Sequence, residues 1–179
     1  MLEGKRILLG VTGGIAAYKA ADLVSRLTQK GADVEVVMTA SATRLVGPIT
    51  FATLSHHEVH YDTFTDLTMP PLHIRLAQGR DLQIIAPLTA NTMAKIAYGI
   101  ADNLLTSAVL ASTAPLLCAP AMNNVMWENP ATRANVQTLK SRGVNFVGPV
   151  CGHLACGTTA IGKMAEPADI LAAADALLA

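Results

Sequence analysis

"KRILLGVTGGIAAYKAADLVSRLTQKG", residues 5–31, decides the fold. Residues 5–11 are a short apolar run rich in β-formers, which reads as a buried strand of a parallel sheet. Gly13 and Gly14 make the turn that follows. Beyond it Ala21, Val24, Leu27 and Thr28 recur at helical spacing, and Gly31 supplies the C-terminal stop. A strand, a tight turn and a helix in that order open a β–α–β unit.

The alternation continues along the chain. Strands are expected over residues 33–38, 81–87, 115–120 and 144–149, with a strand or edge over 58–64. Helices are expected over 48–55, 88–99, 130–143 and 168–179, and over 102–112 with Asp102 as the N-cap. "TASATRLV" (39–46) reads as a hydroxyl-rich turn opening a helix, "MPPLH" (69–73) as loop, and 151–167 as a glycine-rich loop. This pattern predicts an α/β fold: an open, doubly wound parallel sheet in three layers, Rossmann- or flavodoxin-like. Residues 1–179 read as one domain without repeat or linker. The chain ends just after a helix, which suits a whole protein or the N-terminal part of a longer bifunctional one.

Composition excludes several classes. Thirteen basic and thirteen acidic residues cancel, and aromatics are only 4%, too few for base-stacking platforms. No nucleic-acid partner is expected. Apolar residues reach 51% and mean hydropathy is +0.39, yet no run of about 18 residues is free of Gly, Pro and charge, so no membrane span is expected. Excess apolarity without a span points to faces buried between subunits. Three cysteines and no signal-peptide pattern point to free thiols in a reducing cytoplasm.

A glycine-rich turn ahead of a helix is an anion site, because its N–H groups are free and the helix end is positive. The pattern here is G-x-x-G-G, and the second strand ends in Met38-Thr39-Ala40-Ser41 where a nicotinamide-binding domain places an acid for the ribose. Hydroxyls there suit the phosphate of a mononucleotide such as FMN better than NAD. Two glycines also make an ordinary tight turn, and this loop alone leaves both readings open.

"PAMNNVMW" (120–127) places the only Trp, two methionines and Asn123 just after a strand. That is a pocket wall: apolar for a ring, with one amide for orientation.

These stretches together resemble the homo-oligomeric flavin-containing cysteine decarboxylases over nearly the whole chain. "PAMNNVMW" matches the family pattern P-x-M-N-x-x-M-W, and "PLTANT" (87–92) is similar to P-A-S-A-N-T, with Leu88 and Thr89 departing. "PLHIRLA" carries the family histidine as His73, and "LACGTTAIGKM" resembles the substrate clamp with its reactive cysteine. The resemblance implies FMN contacts at Gly13, Gly14, Ile15, Thr39, Ser41, Thr89, Ala90, Asn91, Thr92 and Ala121. It implies His73 as base, Cys156 as acid and Asn123 as the amide on the substrate carboxylate. Met126, Ala155, Gly157 and Lys163 complete the implied substrate site, and no metal is implied. Lys163 stands where many members carry Arg, so a point charge replaces a fork there. The family assembles as trimers, often as dodecamers, with flavin at a subunit interface, and a synthetase is fused or separate.

Oxidation of a terminal cysteine's CH₂–SH to a thioaldehyde lets carbon dioxide leave as the electrons delocalise into an enethiolate. The hard chemistry belongs to the flavin. His73 suits proton removal. A neutral amide orients the carboxylate without over-stabilising it against loss. Cys156 supplies the proton with which the enethiolate is reduced to a saturated thiol, which implies 4′-phosphopantothenoylcysteine as substrate and 4′-phosphopantetheine as product, in coenzyme A biosynthesis. The alternatives are a peptidyl-cysteine decarboxylase, which lacks that cysteine and stops at the enethiol, a flavin prenyltransferase, and a regulatory flavin-binding protein. Cys118 reads as core, His56, His57 and His60 as surface, and Cys151, His153 and Cys156 are too few and wrongly spaced for zinc.

Overall fold

Every residue of the first strand, β1 (Arg6–Val11), after Arg6 is buried, because both faces of the strand are covered. Ile7, Leu9 and Val11 point to one layer of helices, and Leu8 to the other. The structure, a computed structural model, describes residues 2–64 and 69–179. Beyond β1 come α1 (Ala17–Gln29), β2 (Asp33–Met38), α2 (Pro48–Ser55), β3 (Val59–His60), α3 (Leu72–Ala77) and β4 (Leu82–Leu88). Then follow α4 (Ala90–Tyr98), α5 (Leu104–Leu110), β5 (Leu116–Pro120), α6 (Asn124–Glu128), α7 (Pro130–Ser141), β6 (Asn145–Phe146), β7 (Val150–His153), β8 (Thr159–Lys163) and α8 (Pro167–Leu177).

Six strands pair in parallel in the order β3-β2-β1-β4-β5-β6. Helices α1, α2 and α8 cover one face around Leu23, Leu27, Phe51 and Ile170. On the other, α3 and α5 pack Leu72, Leu76, Leu104 and Leu105 over β1 and β2, while α4 and α7 pack Met93, Val136 and Leu139 over β4 and β5. This is the expected three-layer doubly wound sheet. Strand order reverses between β1 and β4, so the crevice above their C-terminal ends is where such folds bind ligands. Gly10 allows that layer to close, since a Cβ there would lie 2.5 Å from a Leu105 methyl. Among the described residues no helix is long and apolar enough to cross a membrane.

Local departures have local causes. Asn103, not Asp102, caps α5: its side chain accepts the Thr106 N–H at 3.1 Å, and Asp102 pairs instead with Lys95 at 2.6 Å. His73 sits in the first turn of α3, not in a loop, because Pro71 supplies the N-cap and Leu72 and Leu76 bury one helix turn apart. Residues 151–167 are not loop throughout; β7 and β8 form an antiparallel hairpin outside the main sheet. Residues 39–46 contribute one tight 3-10 turn, Ala42–Arg44, and 58–64 only the two residues of β3. His60, in β3, is half-buried with its side chain 14% exposed, so it is not a surface residue.

Candidate active site

The turns after β1, β4 and β5 meet above the switch point, and the β7–β8 hairpin folds over them. Together they enclose a cavity of about 550 Å³. Its wall brings together Gly13, Gly14, Ile15, Thr89, Ala90, Ala121, Met122, Asn123, Met126, Ala155, Cys156 and Lys163, all singled out in the sequence, and adds Tyr18, Lys19 and His153.

Thr12 joins two of these turns. Fully buried, it donates its hydroxyl to the Pro87 carbonyl at 2.6 Å and accepts the Thr89 N–H at 3.1 Å. Thr89 then caps α4, its hydroxyl accepting from the Thr92 N–H and bonding the Thr92 hydroxyl. Gly13 packs so closely on Ser41 that a Cβ there would collide with the serine side chain. Thr39 turns the chain beside them by accepting the Ala42 N–H at 3.3 Å. The Gly13, Ile15 and Ala16 N–H groups donate to no backbone acceptor among the described residues. A phosphate is the natural partner for such a turn ahead of a helix.

Asn123 explains the opening of α6. Its side-chain oxygen accepts the Val125 N–H at 2.8 Å, which caps that helix and fixes which way the amide faces. The NH₂ is left to the cavity, where it donates to the Cys156 sulfur at 3.4 Å. Cys156 also bonds the Thr158 hydroxyl at 3.3 Å. That hydroxyl first, then the Thr158 backbone and the Asn123 amide, hold the thiol below its ordinary pKa. Leu154 N–H to Thr158 O at 2.8 Å and Gly157 N–H to Leu154 O at 2.9 Å close the loop that presents it. The hairpin is pinned where Met122 N–H donates to the Gly162 carbonyl at 3.0 Å.

A carboxylate sits at the rim. Glu166 takes Lys19 at 2.8 Å on both oxygens and Lys163 at 2.8 Å, and these two lysines pull its pKa down to about 2. Lys163 is pushed up by the same contact. Residues 19 and 166 lie far apart in sequence, and no local pattern announces the pairing.

Some expectations shift. His73 does not line the cavity; α3 holds it half-buried elsewhere on the chain. Asn91 is exposed in the first turn of α4, and Thr39, Ser41, Thr92 and Gly157 stand outside the wall. Trp127 is not part of it either: it is buried among Ile85, Leu88 and Met93, with the Arg133 guanidinium 5.1 Å over its ring, so it anchors α6 while Met122 and Met126 face the cavity. Cys118 is core as expected, and burial pushes its thiol far up. Among the described residues no three His, Cys, Asp or Glu side chains gather as a metal site.

A parallel sheet with open N–H groups in its first turn and an apolar cavity at the switch point defines a mononucleotide-binding class of protein. The chain belongs to the Flavoprotein family, whose profile matches residues 1–179. It is 48% identical over 176 residues to the coenzyme A biosynthesis bifunctional protein CoaBC of Bacillus subtilis, covering 98% of this chain and 43% of that one. The chain therefore spans less than half the length of the curated relatives it matches. Among solved structures, a cysteine-to-serine mutant of PPC decarboxylase complexed with pantothenoylaminoethenethiol superposes with a TM-score of 0.86 at 35% identity, covering 97% of this chain and 98% of that one. The FMN-dependent cysteine decarboxylase SpaF superposes at 0.83 with 31% identity, covering 97% and 99%.

Proposed function

We propose that this chain is an FMN-dependent decarboxylase that converts 4′-phosphopantothenoylcysteine to 4′-phosphopantetheine in coenzyme A biosynthesis. The observation that carries the reading is the pairing of the Asn123 amide with the Cys156 thiol over an apolar cavity, beside a phosphate-type turn. FMN fits the residues present: Gly13, Ile15 and Ala16 offer open N–H groups, Gly14 lines the cavity between them, and Thr39 and Ser41 lie beside them. Thr89, Ala90 and Ala121 border the same space, with Asn91 and Thr92 following in α4. When bound, FMN supplies the two-electron oxidation of the substrate's CH₂–SH and its later reversal.

The chain's own groups do the rest. Asn123 donates its NH₂ to the substrate carboxylate; an Asp here would cap α6 equally well but repel that carboxylate. Met122 and Met126 keep the cavity wall apolar, so that carbon dioxide leaves from a poorly solvated carboxylate. Cys156 delivers a proton to the enethiolate, and the bonds that lower its pKa make it a better donor than an ordinary thiol. Met126, Ala155 and Gly157 belong to the clamp around the substrate, and Lys163 offers charge to its phosphate.

His73 removes the substrate proton in this scheme. Its place outside the cavity of its own chain supports a role in the cavity of a neighbouring copy. A homotrimer or a dodecamer of trimers meets that need, and exposed Tyr98, Ile100 and Leu110 give such contacts apolar material. The bifunctional name of the relatives supports a synthetase partner, fused or separate, and the reading keeps the cytoplasmic setting expected from the free thiols. A relative whose cysteine-to-serine mutant holds an ethenethiol supports the role given to Cys156. Incubating flavin-loaded protein with 4′-phosphopantothenoylcysteine and weighing the product tests the reading. A product lighter by one carbon dioxide is expected; unchanged substrate would overturn it.

A further inference from the structure

A second cavity, of about 440 Å³, opens at the N-terminal ends of β1 and β4, away from the first, and shares no residue with it. It is polar. Arg6 begins β1, Arg75 lies on α3 and Arg80 just precedes β4; Glu35, Glu58, His57 and His60 complete its charged lining. Among the described lining residues three guanidinium groups stand beside two carboxylates, of which Glu35 is taken by Arg80 at 2.8 Å, and His57 pairs with Asp33 at 2.6 Å.

Arg80 is the centre of this cavity. Its side chain is only 2% exposed. Nε donates to the Leu76 carbonyl at 2.8 Å, and Nη2 donates to Glu35 at 2.8 Å and to the Arg75 carbonyl at 3.5 Å. Nη1 is buried and has no hydrogen-bond partner among the described residues. Buried donors are almost always satisfied, so an open one calls for an acceptor that is not part of the chain. Arg80 is among the residues that line the cavity, which is the space beside this buried donor. Arg6 stands close by, its guanidinium packed against Gly79 so tightly that a Cβ there would lie 2.6 Å from Nη1 of Arg6.

We propose that this cavity is a second ligand site, for an oxyanion of phosphate size, which binds between Arg6 and Arg80 and stiffens the helix that carries His73. An open guanidinium N–H is a charge-assisted donor to such an oxyanion, so Nη1 of Arg80 and the Arg6 guanidinium can hold it from two sides. The link to α3 is direct, because Arg80 already holds its last carbonyls and Leu72, Arg75 and Leu76 line the cavity. Anion binding here does not depend on the reaction proposed for the other cavity.

The test uses the intact flavin-loaded protein and inorganic phosphate, titrated by calorimetry at fixed ionic strength in chloride. Amide hydrogen exchange of residues 72–77 is followed with and without phosphate. Binding is expected to weaken about tenfold or more in Arg6→Gln, an exposed position whose loss leaves the fold intact, and to persist in Lys163→Gln. Arg80→Lys, which keeps the charge and loses the Nη1 donor, should weaken it likewise. Phosphate should slow exchange across α3 in wild type and not in Arg6→Gln. Failure of the wild type to bind, equal affinity in Arg6→Gln, loss of binding in Lys163→Gln, or binding with no change at α3 would each overturn the proposal.

Discussion

Gly162→Ala places one methyl group at the seam between the hairpin and the rest of the site. Gly162 has φ near +140°, a region that side chains rarely adopt, and an added Cβ would strike the Met122 carbonyl oxygen. The same pair is joined by the Met122 N–H bond to the Gly162 carbonyl at 3.0 Å. Backbone strain of about 1–3 kcal/mol adds to a loosened hydrogen bond worth about 0.5–1.5 kcal/mol, so a loss of about 3 kcal/mol is expected. In a domain of this size that lowers Tm by roughly 6–12 °C. Because Asn123 follows Met122 directly, the amide also moves off the thiol, and carbon dioxide release should slow together with the fall in stability. Thermal unfolding of the flavin-loaded variant and single-turnover gas release measure both. A variant that melts within about 2 °C of wild type and keeps its rate would refute the pinned-hairpin geometry.

Other outcomes follow from the same structure. Mixed oligomers of His73→Asn and Cys156→Ser, each inactive alone in forming the saturated thiol, should regain turnover on co-refolding if His73 serves a neighbour's cavity; no recovery would place both residues in one copy's site. The thiol that donates the last proton is held below its ordinary value, so the saturated product should give way to the oxidised enethiol as pH rises, beginning below the usual thiol pKa of about 8.5. Product ratios by mass spectrometry that stay constant through that range would count against Cys156 as donor. Glu166→Gln should cost about 1 kcal/mol or less at neutral pH, a discounted figure because its side chain is 47% exposed. Its folded pKa is depressed from 4.5 to about 2, so this stability is present above 4.5 and lost as pH falls towards 2, where the variant and wild type should unfold alike.

The fold was legible because β1, β2, β4 and β5 are long enough to show their apolar runs and each is followed by a clear turn. The short elements were not. β3 and β6 have two residues each, too few for any period, and α6 has no helical signature in the sequence because its start is set by the Asn123 cap rather than by apolar spacing. The β7–β8 hairpin hid behind glycines that read as loop: Gly152 gives room to the Lys163 stem, with a Cβ there 2.8 Å from its Cδ, and Gly162 gives room to Met122. At the site, the turns and the Asn123 and Cys156 positions were readable as motifs in order. Thr12 and the Lys19–Glu166 contact were not, because each acts across a span of chain with no local signature. Trp127 misled for a physical reason: one face of α6 lines the cavity and the opposite face enters the core, and sequence spacing over five residues does not say which is which.

The most direct measurement is the product of Cys156→Ser in a single turnover with 4′-phosphopantothenoylcysteine on flavin-loaded protein. The variant keeps Asn123 and its cap on α6, and a serine hydroxyl is far too weak an acid to replace a thiol. Carbon dioxide should be released once per site, and mass spectrometry should find an enethiol lighter than 4′-phosphopantetheine by two hydrogens, with none of the saturated thiol. A variant that turns over repeatedly to 4′-phosphopantetheine, or a wild-type protein that releases no carbon dioxide at all, would contradict the account.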